Sequence, residues 1–125
     1  MSLRTPLSKA LGRGSAGEGV GHWWMQRVTA VALLPLTAWF VISLLGLPLQ
    51  SYDAMRDWVG QPWVAVMTML LVLTLAWHSK LGVQVVIEDY VHAKGAKTTL
   101  LLLSTFIHVA AAVAGVFAIL RLALS

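Results

Sequence analysis

Residues Pro62–Glu88 read PWVAVMTMLLVLTLAWHSKLGVQVVIE. This stretch decides the fold class. It is longer than the roughly 20 predominantly apolar residues that carry a helix across the hydrocarbon core of a bilayer. Two further apolar blocks flank it, one from about Met25 to Leu47 and the other from about Thr98 to Leu124. The expectation is an all-α integral membrane protein with three transmembrane helices, spanning about 25–47, 62–88 and 98–124. Residues 1–24 form an N-terminal tail and 25–124 the membrane domain. Pro35 removes one backbone donor inside the first span, which predicts a kink toward its N-terminal side. Gly46 and Pro48 end that span, and QSYDAMRDWVGQ (Gln50–Gln61) reads as the loop after it.

Composition agrees. Of 125 residues, 58% are hydrophobic and 11% are charged, against about 25% charged in a soluble domain. A well-solvated surface is therefore excluded. The chain has no cysteine, which excludes thiolate metal sites, disulfides and cysteine nucleophiles. Any iron–sulfur cluster that takes part belongs to another chain. The net charge of +4 comes from bases scattered among membrane blocks. They form no stripe, so they read as topology signals rather than a nucleic-acid footprint.

Those bases give an orientation. Arg4, Lys9 and Arg13 in the tail join Lys94 and Lys97 after span two, while the other side has only Arg56 and Arg121. The positive-inside rule then places the N-terminus in the cytoplasm and the C-terminus in the periplasm. The Gly/Ser-rich start resembles a transit peptide only weakly. It favours a bacterial inner membrane over a mitochondrial one. Trp23, Trp24, Trp58 and Trp63 fall at expected interfaces, where amphipathic rings are favoured. In span three Ala111, Gly115 and Ala118 form a small-residue face that admits a close helix. That helix belongs either to this bundle or to a partner subunit.

Ionisable residues inside spans are expensive and mark a partner, a cofactor or water. Here they gather in the second half of span two, as His78, Lys80, Gln84, Glu88 and Asp89, followed by Tyr90 and His92. His22, Gln26 and Arg27 lie at the start of span one. Antiparallel neighbours put Arg27 and the Asp89–Tyr90 pair on the same membrane side. His78, Gly82, Val85 and Asp89 share one helical face, with Asp89 about 16 Å along the axis from His78. A mid-span histidine followed one turn later by glycine suits an axial position on a flat macrocycle. A histidine bonded to a neighbouring helix fits the same residues. A tyrosine hydroxyl with an acid and an arginine at the membrane edge suits a quinone, whose carbonyls become more basic on reduction. The plainer reading is an interfacial tyrosine and an ion pair that sets helix position. His108 reads as a packing or hydrogen-bonding residue, and Lys80 as a snorkelling base or the partner of an acid or propionate. His22, Trp23 and Trp24 carry no individual assignment.

HSKLGVQVVIEDYVH (His78–His92) resembles the H-x-x-x-G-x-x-x-V-x-x-D-Y pattern of the succinate dehydrogenase hydrophobic membrane anchor subunits, the D-type anchors of complex II. The start of the first span, GHWWMQRVTAVALLPLTAW (Gly21–Trp39), is similar to theirs, and the resemblance covers about Gly19 to His92. It implies an anchor without an active site of its own. Such an anchor pairs with a second three-span chain, a cytochrome b556-type C subunit. Together they dock an iron–sulfur subunit and a flavoprotein, which hold the clusters and FAD. The resemblance further implies haem b between the two anchors, with His78 as this chain's axial ligand to the haem iron. Tyr90 would bond ubiquinone, Asp89 would support that site, and Arg27 would lie by the haem propionates and the quinone. A fumarate reductase anchor is the runner-up, separable by quinone type and midpoint potentials. A small conduit protein is the alternative of another class, and it predicts no haem absorption and function without partners.

Overall fold

The computed structural model describes residues 18–48 and 51–125. Four helices follow in order: α1 (Glu18–Leu45), α2 (Tyr52–Val59), α3 (Pro62–Tyr90) and α4 (Lys94–Ala123). Among the described residues there is no strand. Three of the helices, α1, α3 and α4, are long and apolar enough to cross a membrane. The basic tail residues Arg4, Lys9 and Arg13 lie outside the described residues.

Both flanking spans begin earlier than the apolar blocks suggest, α1 at Glu18 and α4 at Lys94. Apolarity marks where a helix enters hydrocarbon, whereas backbone hydrogen bonding continues until something interrupts it. Nothing does so between Glu18 and Met25, although Gly19 and Gly21 each cost a helix about 1 kcal/mol relative to alanine. In α4 the Thr98 and Thr99 hydroxyls donate to the Lys94 and Gly95 carbonyls at 3.0 Å, bracing the first turn. Residues 18–24 therefore belong to α1 rather than to a separate tail. At the other end α1 closes as its sequence suggests, with the Gly46 and Leu47 N–H groups donating to the Ser43 and Leu44 carbonyls. The helix runs through Pro35 without interruption.

The segment read as a loop is largely α2. Ser51 caps its N-terminus by accepting from the Ala54 N–H at 3.3 Å, and Asp53 complements the positive end of the helix. Gly60 closes the helix, its N–H donating to the Arg56 carbonyl at 2.7 Å. One face of α2 is apolar and folds inward, leaving Trp58 only 9% exposed. Trp58 stacks on Trp39 at 6.0 Å and lies 5.9 Å from Phe40, while Trp39 meets Trp63 edge-on at 5.7 Å. These separations are those of favourable aromatic pairs. Trp58 is thus packed inside the bundle, at the end where α1 and α3 are joined. Arg56 also donates to the Ser125 backbone oxygen, tying α2 to the end of α4. With Val59, Val64, Ala65 and Ile119, this cluster is the buried core, and it lies at the end of the bundle opposite Tyr90.

The long helices form a row with α3 in the middle. It packs against α1 and against α4, and the α1 and α4 backbones do not approach each other closely among the described residues. The α3–α4 register is set by a close approach at Gly115. A Cβ there would lie 2.8 Å from Val72 Cγ1. The small-residue face therefore serves contact within the chain at Gly115, while Ala111 and Ala118 stay exposed. Valine in a helix holds one χ1 rotamer and cannot easily swing away. Gly115→Ala should therefore cost about 1–3 kcal/mol of overpacking, offset by up to ~1 kcal/mol of helix propensity. The expected outcome is a lower melting temperature of the detergent-solubilised protein, recovered when Val72→Ala is added in the same chain.

Candidate functional site

α3 separates its polar residues onto its two flanks. On the α1 side, the His78 Nδ1 lies 2.9 Å from the Thr29 Oγ1. One turn nearer the Tyr90 end, Gly82 faces the Gln26 amide: a Cβ on Gly82 would lie 3.9 Å from Gln26 Nε2. These two pairs fix an antiparallel register in which His22, Gln26 and Thr29 lie along one stripe of α1. Thr29 is buried, at 7% exposure. The buried His22 Nε2 and Gln26 Oε1 atoms have no hydrogen-bond partner among the described residues. Native interiors rarely leave such atoms unsatisfied, so the α1–α3 seam holds two polar atoms whose hydrogen bonds the described residues do not supply.

On the α4 side the other membrane histidine is fully engaged. His108 Nδ1 lies 2.7 Å from the Ser104 carbonyl, and Nε2 lies 3.1 Å from the Ser79 Oγ. A nitrogen that close to a carbonyl must donate to it. Nε2 is then the acceptor of the Ser79 hydroxyl proton in the neutral ring. His108 has no lone pair to spare and acts as a brace between α3 and α4, the hydrogen-bonding role expected of it. His78 differs: only Nδ1 is engaged, and Nε2 has no hydrogen-bond partner among the described residues. Of the two mid-membrane histidines, His78 alone retains a nitrogen for an external ligand.

The remaining candidates sit as follows. Asp89 and Tyr90 are the last two residues of α3, and Tyr90 is 79% exposed. Neither side chain is hydrogen-bonded among the described residues. Gln84 donates to Glu88 at 2.8 Å on the preceding turn. The α1–α3 register sets Arg27 level with Lys80 and Leu81, about 14 Å below Tyr90 at 1.5 Å per residue. Arg27 is exposed and lies over the Trp23 ring, 5.5 Å from its centre. Arg27 and the Asp89–Tyr90 pair thus share one half of the bundle, but the chain does not bring them together. Arg27 is nearer the depth of His78. Lys80 lies over Trp77 at 5.4 Å and borders α4 with Gln84, Ser104 and Thr105.

Among the described residues, no three His, Cys, Asp or Glu side chains converge on a point. Those residues alone offer a bare metal ion no site. A macrocycle needs only one axial imidazole from each side, and the residues fit that requirement. One ring nitrogen is anchored, the other is available, and the glycine one turn away is not demanded by the ordinary 3.9 Å contact with Gln26. Thr29 is the residue that motif reading passes over. Its signal is the spacing His22, Gln26, Thr29, offsets of four and seven that place three polar side chains on one helical face.

The chain matches the succinate dehydrogenase/fumarate reductase transmembrane subunit model over residues 1–118. It belongs to that family. It is 33% identical over 124 residues to the succinate dehydrogenase hydrophobic membrane anchor subunit of Paracoccus denitrificans, covering 99% of this chain and 95% of that one. It is 31% identical over 100 residues to the corresponding subunit of Rickettsia bellii, 80% of each chain. A succinate dehydrogenase membrane anchor subunit of Reclinomonas americana is 30% identical over 84 residues, 65% of this chain and 68% of that one. The resemblance read from His78–His92 therefore agrees with the family. Together with the three apolar helices, it makes this a multi-pass membrane protein.

The geometry at Gly82 generates a graded expectation. Gly82→Ala adds a methyl at ordinary contact distance and should leave assembly unchanged or slightly firmer, by up to ~1 kcal/mol of helix propensity. Gly82→Leu would press a branched side chain against Gln26 and should lower recovery of the assembled protein, measured as the fraction eluting as a discrete species on size exclusion.

Proposed function

We propose that this chain is the hydrophobic membrane anchor of a succinate:quinone oxidoreductase. In this reading it has no active site of its own, supplies one axial ligand to haem b, and forms one wall of a ubiquinone-reduction site. The observation that carries the reading is His78, held mid-span by Thr29 through Nδ1 with Nε2 left available. The complex would include a second anchor of cytochrome b556 type, an iron–sulfur subunit and a flavoprotein that holds FAD. It would couple succinate oxidation in the tricarboxylic acid cycle to the respiratory chain in a bacterial inner membrane, with the Tyr90 end of the bundle toward the cytoplasm.

His78 would hold the haem iron through Nε2. When bound, haem b supplies a one-electron redox centre within the membrane. The exposed Tyr90 hydroxyl would donate to a quinone carbonyl, which becomes a better acceptor as it is reduced. Asp89 beside it would relay or balance the incoming proton. Arg27, at the depth of His78 and stacked on Trp23, would pair with a haem propionate more readily than with a quinone at Tyr90. Anchors of this family also serve fumarate reductases, and the quinone type and midpoint potentials of the purified complex decide the direction.

His78→Ala should abolish or strongly diminish the b-type band in a reduced-minus-oxidised spectrum of the purified complex. An unchanged band would sink the ligand assignment. Tyr90→Phe should slow succinate-dependent quinone reduction by about tenfold or more, with succinate oxidation by a soluble dye intact. Equal loss of both activities would point to an assembly defect instead.

A further inference from the structure

The Thr29 hydroxyl sits among three acceptors or potential acceptors. Its oxygen is 2.7 Å from the Met25 carbonyl, 3.1 Å from the Gln26 carbonyl and 2.9 Å from His78 Nδ1. A hydroxyl has one proton to give. Two oxygens 2.7 Å apart repel unless a hydrogen lies between them, so that proton points at Met25. The contact with His78 is then possible only if the ring donates and the Thr29 oxygen accepts. We infer that Thr29 is a positioning residue: it fixes His78 as the Nδ1–H tautomer, sets the plane of the ring, and leaves the Nε2 lone pair as the sole nitrogen able to bind iron.

The inference rests on the reading of His78 as a haem ligand and deepens it. Histidines that bind metals commonly donate their other N–H to an oxygen, which orients the ring and raises the basicity of the bound nitrogen. Here the acceptor is on a different helix, so the α1–α3 packing itself determines the ligand's tautomer and its donor strength. The Thr29 side chain is 7% exposed, which shields the hydrogen bond from competition by water. The neighbouring Ser79 looks equivalent in sequence but faces His108 on α4. Thr29 is therefore the hydroxyl that tunes His78, and Ser79 is not.

The test uses the complete purified complex carrying wild-type, Thr29→Val, Thr29→Ser or His78→Ala chains. Valine is nearly isosteric with threonine but accepts no hydrogen bond. A less basic imidazole favours the ferrous over the ferric state. Thr29→Val should therefore keep the b-type band and move its midpoint potential upward. The expected change in the ferric-to-ferrous stability ratio is threefold to tenfold, the upper figure being ~59 mV for a one-electron couple. Haem retention during purification should fall by about tenfold, and Thr29→Ser should restore both properties. A Thr29→Val complex with wild-type potential and haem retention overturns the positioning role, and does so alone if His78→Ala still removes the band. An unchanged band in His78→Ala overturns the ligand reading and this inference together. If Thr29→Val does not assemble, nitrogen-15 solid-state NMR of the wild-type, fully reduced complex with labelled histidine decides. A His78 Nδ1–H with the shift of a hydrogen-bonded donor supports the assignment, and an Nδ1–H without a hydrogen bond refutes it.

Discussion

A polar side chain in hydrocarbon has no water to fall back on, and this bundle is organised by that constraint. The central helix α3 carries His78 and Ser79 in succession, and the 100° step between neighbours turns them toward different flanks. His78 meets Thr29 on α1, and Ser79 meets His108 on α4. Two hydrogen bonds at nearly one depth thus hold three helices in register. Because lipid is as apolar as the side chains it would replace, helix association here depends on such bonds and on close packing. The contact of Gly115 with Val72 supplies the packing half on the α4 side.

The two ends of the bundle are built for different purposes. At the end opposite Tyr90, α2 folds back over α1, α3 and α4 and buries Trp58 among Trp39, Phe40, Val64 and Ile119. That cap is where most of the buried residues of this chain lie. At the Tyr90 end the seam between α1 and α3 contains unpartnered polar atoms, an exposed tyrosine and exposed aromatic rings at Trp23 and Trp24. The cap closes one end of the bundle upon itself, while the Tyr90 end leaves its aromatic rings exposed. The exposed apolar faces of α1 and α4 fit lipid and a neighbouring subunit.

Much of this was readable from the chain as text. The span count follows from block length, and the shared helical face of His78, Gly82 and Asp89 follows from their spacing. The assignment of His108 to hydrogen bonding also holds. What the text could not give was the partner of each histidine. His22, Gln26 and Thr29 can be seen to share a face, but whether that face meets α3, α4 or lipid depends on how the helices are arranged. Arg27 shows the same limit: same side as Tyr90 in the topology, yet about two and a half turns deeper in the register.

The sequence by itself determined three membrane helices, the absence of cysteine chemistry, and a polar cluster confined to one half of the second span. Those properties depend on composition and on position along a single helix, so they are local. Tertiary structure alone decided that QSYDAMRDWVGQ becomes a capping helix, that Gly115 serves contact within the chain, and that His78 keeps one nitrogen free while His108 keeps none. Each of those depends on which face of one helix meets which face of another. In an apolar segment hydrophobic periodicity cannot say so, because lipid-facing and protein-facing residues look alike.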